Sequence, residues 1–160
     1  MAQGGGSNTT ANVNGWSTVQ AGVHTGLMNL AGVHLEYAHR ELWTIQVEGG
    51  TNGLGAGYGG QVGYFLTRNQ EYVKRKGFTR SYGVVYLGYT YFTQWSEEFL
   101  DENPGLPFGH AVQMRLGFKT NRKQAHEWQF GAAFMLTPDN ASPLYPIISY
   151  RYSWQKEIKR

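Results

Sequence analysis

Apolar and polar residues alternate along most of this chain. In Ala31-Gly32-Val33-His34-Leu35-Glu36-Tyr37, in Trp43-Thr44-Ile45-Gln46-Val47-Glu48 and in Val112-Gln113-Met114-Arg115-Leu116-Gly117-Phe118, every second residue is apolar. A period of two marks β-strands, because successive side chains leave opposite faces of an extended backbone. The alternation predicts about eight strands, over 16–27, 31–39, 43–50, 56–67, 80–93, 109–119, 126–136 and 143–154. No segment carries a helical period. Residues 1–15, mostly Gly, Asn, Ser and Thr with few apolar residues, predict a flexible tail, and residues 155–160 a short charged one.

Phase links one strand to the next. Val19, Ala21, Val23 and Leu27 run in register with Ala31, Val33, Leu35 and Tyr37, which a three-residue connection preserves and a two-residue one would flip. Arg40-Glu41-Leu42 predicts the same kind of turn before Trp43. Later apolar sets are Tyr58, Val62, Tyr64 and Leu66; Val85, Leu87, Tyr89 and Tyr91; Trp128, Phe130, Phe134 and Leu136; and Leu144, Ile148, Tyr150, Tyr152 and Trp154. Only the fifth segment is blurred, by Tyr82, Val84 and Tyr86 in the opposite phase.

Which face meets water decides the class of protein. The polar face carries mostly Gly, Gln, Ser and Ala, with little lysine, and so suits an enclosed lumen better than a solvated surface. The other face then meets lipid. Its aromatic residues gather near segment ends: Trp16, Tyr37, Trp43, Tyr58, Tyr64, Tyr89, Tyr91, Trp128, Tyr150, Tyr152 and Trp154. That placement predicts two interfacial girdles. Strands of about 9–12 residues match a tilted membrane strand and exceed the usual soluble length. An even number of them closes the sheet and removes edges, which lipid does not tolerate.

The enclosed face holds His34, Glu36, Thr44, Gln46, Glu48, Gln61, Gln113, Arg115, Gln129, Ser149 and Arg151. The interior of an eight-stranded barrel is just wide enough for side chains to fill it. Charges enclosed there must pair, since an isolated one costs several kcal/mol. Glu36 and Glu48 are therefore expected to pair with Arg115 and Arg151. The resulting polar plug would fix register; its functional alternative is a gated ion path.

Composition narrows the picture. The chain has 160 residues, with 16% charged residues against the usual quarter or so. Aromatics make up 15%, including 11 Tyr, and 22 Gly accompany them. No run approaches the roughly 20 apolar residues of a membrane helix. The lack of Cys removes thiol chemistry and disulfides. The net charge of +3 comes from basic clusters at 68–80, 119–123 and 156–160. That is loop segregation, not the basic face a nucleic-acid partner requires. Met1-Ala2-Gln3 fits an initiator Met placed before a mature start.

Candidate chemistry is sparse. Gly55-Ala56-Gly57-Tyr58-Gly59-Gly60 matches G-x-G-x-x-G, but a strand pattern follows where the dinucleotide fingerprint needs a helix. His24 and His34, with Glu36 and a serine such as Ser149, contain the residue types of acyl transfer without a specific spacing. No catalytic, cofactor-binding or metal-ligating residue is assigned, and no cofactor is expected. Lys74, Arg75 and Lys76, in the connection 68–79, suit lipid phosphates or an acidic partner. Trp95, Phe99, Leu100 and Phe108, in 94–108, are apolar for a loop and suit a protein contact. Asn8-Thr9-Thr10 and Asn140-Ala141-Ser142 match glycosylation sequons, which would mean nothing if the protein were bacterial.

The strands, the Trp/Tyr belts, the polar lumen and the closing Tyr150-Arg151-Tyr152-Ser153-Trp154 together resemble the small OmpA/OmpX-type outer-membrane barrels, over about residues 16–154. The resemblance implies an all-β fold: an eight-stranded antiparallel up-and-down transmembrane barrel with a polar, filled lumen. It implies location in the bacterial outer membrane among outer-membrane lipids and lipopolysaccharide. Envelope proteins would bind loops 68–79 and 94–108. The expected role is a structural or accessory subunit of an envelope complex, or a surface-interaction protein, and not an enzyme. Two features depart from the pattern. Gln155-Lys156-Glu157-Ile158-Lys159-Arg160 follow the terminal aromatic residue, and the long basic connection 68–79 falls on the periplasmic side, where turns are usually short. The rivals are a soluble calycin-like barrel enclosing an apolar ligand, an outer-membrane lipid-modifying enzyme and an engineered pore.

Overall fold

The computed structural model describes residues 17–27, 30–39, 42–51, 55–66, 80–93, 107–121, 124–137 and 142–158. They form eight strands: β1 Ser17–Gly26, β2 Ala31–His39, β3 Trp43–Thr51, β4 Ala56–Phe65, β5 Arg80–Phe92, β6 Gly109–Asn121, β7 Gln124–Met135 and β8 Leu144–Ile158. Each pairs antiparallel with the next, and β8 returns to β1, so the sheet is a closed barrel in chain order. The all-β, eight-stranded antiparallel fold expected from alternation is the fold observed. Closure satisfies every ladder and leaves no free edge.

Boundaries follow the phase argument. Val23 pairs with Val33, odd with odd, and His39 pairs with Trp43 across residues 40–42. The main departure is β8. It runs to Ile158, and Gln155 and Lys156 pair with Gln20 and Val19, so the expected charged tail is largely ladder. The β6–β7 turn is also tighter than the polar run 120–125 suggests, with only residues 122–123 between the strands.

Register around the barrel sets its shape. The pairing partners of Glu157 run through Thr18, Ala38, Thr44, Gly63, Tyr86, Arg115 and Gly131, and return to β8 at Ile147. The circuit therefore advances by ten residues, from 157 to 147. With ordinary strand rise and spacing, eight strands and that stagger tilt the strands by about 40° to the axis. Following the pairing once round the barrel therefore climbs ten residues along β8 and does not return to the starting height.

The two faces of the wall differ sharply. Val33, Tyr64, Leu87 and Met114 point outward and are 58–63% exposed, while Gln46, Gln129 and Arg151 point inward and are wholly buried. On β8 the unbroken outward apolar set runs from Leu144 to Trp154, before Lys156. The ten residue steps between them cover about 25 Å along the axis at the tilt given above.

Inside, the polar middle is flanked by apolar clusters. Ala38, Phe65, Val84 and Tyr86 pack together toward the end that carries the chain termini. Phe92, Ala111, Ala133 and Ile147, with Met135 and Tyr145 against them, pack at the opposite end. The blurred phase of the fifth segment has its cause here. Val84 and Tyr86 are inward and fully buried, while Leu87 and Tyr89 face out.

Candidate functional site: the enclosed polar network

Between those clusters lies one continuous set of charged and amide side chains. Glu48, inward from β3, lies at its centre. Arg115 of β6 donates from its two terminal nitrogens to Oε1 at 2.6 Å and to Oε2 at 3.3 Å, and Arg151 of β8 also donates to Oε2. Neither arginine is on a strand adjacent to β3, so both bonds cross the lumen. Arg115 also donates from Nε to Gln113 at 2.8 Å and from a terminal nitrogen to Gln129 at 2.9 Å. Gln129 donates in turn to Glu127 at 3.0 Å, and the Tyr86 hydroxyl donates to the same carboxylate at 2.6 Å.

A second centre lies nearer the termini. Lys119 of β6 donates to Glu36 of β2 at 2.5 Å, and Thr44 donates to the same oxygen at 2.8 Å. Gln46 and Gln61 hydrogen-bond to each other, and His34 Nε2 contacts the Ser153 hydroxyl at 2.7 Å. Among the described side chains, the inward charges are Glu36, Glu48 and Glu127 against Arg115, Lys119 and Arg151. They balance three to three. Such balance is what enclosure demands, because each uncompensated ion would forfeit its hydration.

Glycines shape the space. A Cβ on Gly63 would lie 2.6 Å from the Tyr86 ring, and one on Gly117 would lie 2.7 Å from its other edge. The Tyr86 ring therefore lies across β4 and β6, whose side chains are deleted to admit it. A cavity of about 20 Å³, lined by His24, Gly26, Glu48, Arg115, Ile147, Ile148 and Ser149, adjoins the Glu48 centre. It has room for one water molecule. Both ring nitrogens of His24 and the Ser149 hydroxyl are buried without a hydrogen-bond partner.

Glu36, Glu48, Arg115, Arg151, His34, Gln46 and Gln113 are thus all enclosed, as alternation indicates. The pairing differs from expectation in one respect: Glu48 takes both arginines, and Glu36 is paired by Lys119. Lys119, Glu127 and Tyr86 were not foreseen as lumen residues. Lys119 reads as part of a basic turn, and Tyr86 as out of phase.

On the outer wall, Tyr37, Trp43, Tyr64, Trp128, Tyr152 and Trp154 lie toward the end with the termini, Tyr58, Tyr89 and Tyr91 toward the other, and Tyr150, expected in a girdle, lies near the middle of β8. Several touch in pairs: Tyr37 with Trp43, Tyr58 with Tyr91, Trp128 with Tyr150, and Tyr152 with Trp154. Trp16 lies outside the described residues, as do Lys74, Arg75, Lys76, Trp95, Phe99 and Leu100; Phe108 is half-buried at the approach to β6.

Among the described residues, no three His, Asp or Glu side chains are grouped to hold a metal ion. Ala56 to Gly60 open β4, so the G-x-G-x-x-G match is a strand whose glycines thin the wall. Compared with known proteins, the chain matches no protein-family model and no curated relative.

Proposed function

We propose that this barrel is an integral protein of the bacterial outer membrane, with its aromatic and aliphatic wall against lipid and its polar network as a structural plug. The observation that carries the reading is the sorting of charge. Among the described strand side chains, all carboxylates and guanidiniums point inward, and Lys156, near the end of β8, is the one ammonium on the outside. A soluble barrel has the opposite need: its wall must be wetted and its interior dry. The outward band of about 25 Å on β8 agrees with the apolar height of outer-membrane barrels. Among the described residues the middle of the lumen is filled by charged and amide side chains, which weighs against the calycin-like reading.

The barrel then works through its surface, as a structural or accessory subunit of an envelope complex or as a surface-interaction protein. The test is refolding from denaturant with and without detergent micelles, followed by far-ultraviolet circular dichroism and by gel mobility before and after boiling. A β-spectrum and a heat-modifiable band that require micelles are expected. A monodisperse β-protein in plain buffer would overturn the reading.

A further inference from the structure

Three histidines stand on the outer wall, each close to a strand end: His39 closes β2, His110 is the second residue of β6 and His126 the third of β7. All three share one local arrangement. The Nδ1 atom of each is hydrogen-bonded to a tyrosine hydroxyl, from Tyr37 at 3.2 Å, from Tyr89, and from Tyr150 at 2.5 Å. Directly across the ladder from each lies a second aromatic ring, Trp43, Tyr91 or Tyr152. Ring centroids there are 5.2, 4.8 and 5.2 Å apart.

The arrangement has a direction. In each case the tyrosine that shares its hydroxyl lies deeper along the wall, and the histidine lies nearer the barrel end. Tyr37 precedes His39 by two residues on β2; Tyr89 and Tyr150 precede by two the residues that face His110 and His126. A phenol at the margin of an apolar layer needs a partner, because water is scarce there. The phenol is the stronger acid of the pair, so it donates and Nδ1 accepts, which leaves the proton of the neutral ring on Nε2. The ring opposite holds the imidazole plane. Among the described residues no hydrogen bond engages Nε2 on any of the three, and no carboxylate shares the outer wall.

Resting on the lipid-facing reading of the wall, we propose that His39, His110 and His126 are headgroup contacts. Each donates its Nε2–H to a phosphate oxygen of a membrane lipid, and the buried-side tyrosine sets the tautomer. A neutral donor to an oxyanion makes a charge-assisted hydrogen bond. His39 and His126 serve the leaflet at the end of the termini, and His110 the opposite one.

The test folds the full chain into dodecyl maltoside and dodecylphosphocholine micelles at mildly alkaline pH. Both are uncharged overall, and only the second carries phosphate. Imidazole nitrogen shifts read the tautomer, and phosphorus-to-proton cross-relaxation reads the contact. The expected result is the Nε2–H tautomer at all three histidines in both micelles, with phosphorus contact in phosphocholine. That contact should fall several-fold at the matching histidine in Tyr37→Phe, Tyr89→Phe and Tyr150→Phe, with heat-modifiable mobility retained. A folded barrel with Nδ1–H tautomers, without phosphorus contact, or with contact indifferent to the tyrosine changes would overturn the proposal alone. A chain that folds in plain buffer and ignores both micelles would overturn the lipid-facing reading and this proposal with it.

Discussion

Glu48 is the residue on which the interior turns. Two guanidiniums from distant strands converge on its carboxylate, so neutralising it strands two enclosed cations. Glu48→Gln is expected to cost about 3–5 kcal/mol, the scale of breaking an enclosed ion pair from one side. Urea unfolding in micelles, followed by tryptophan fluorescence, measures it. Tyr86 gives a second expectation. Gly63→Ala would drive a methyl against its ring and should cost about 1–3 kcal/mol. The same methyl meets Thr44 Cγ2 at 2.7 Å, so in a Tyr86→Ala background the change should cost less but not nothing, and additive effects would refute the contact with the ring. At this scale the sequence told which residues are enclosed but not which pair. Parity assigns a face, whereas the choice of Lys119 for Glu36 depends on the ten-residue stagger, which no short window of sequence contains.

Strands are where the sequence speaks most clearly. The alternation from Ala31 to Tyr37 and from Val112 to Phe118 defines β2 and β6, because a one-residue slip would turn every charge outward. The signal fails at strand ends. There Phe65, Val84, Phe92 and Ile147 are apolar on the inside, and β8 continues through Gln155 and Lys156, polar residues that read as tail. β4 offers a sharp test of what surrounds the wall. Val62 and Leu66 are equally exposed, at 55% and 54%, but Val62 lies mid-strand and Leu66 just beyond the strand end. In water, arginine at either place should change stability by no more than about 0.5 kcal/mol. Against lipid, Val62→Arg should cost about 2–4 kcal/mol and Leu66→Arg less than about 1. Paired unfolding titrations in micelles decide between the two, and equal costs would count against an apolar layer.

At the scale of the whole molecule, the two apolar clusters bracket an interior that the described side chains fill with balanced charge. Reconstituted into a planar bilayer, the barrel should therefore carry no steady ion current; sustained open-channel steps would show that the clusters part. Closure itself was legible from an even count of alternating strands. The filling of its ends was not, since apolar residues at a barrel mouth look the same in sequence as strand ends facing outward.

The balance of three charges against three also has a chain-order consequence. Among the described side chains, β1–β4 contribute only Glu36 and Glu48 to the interior, while β5–β8 contribute Arg115, Lys119 and Arg151 against Glu127. The amino-terminal half of the barrel is thus an anion of two charges, and the carboxy-terminal half a cation of two. Neither half can neutralise itself, so hairpins that entered an apolar layer one at a time would carry bare ions with them. In such a layer, a meeting of halves in which the last ladder and the inner ion pairs form together would spare them that exposure.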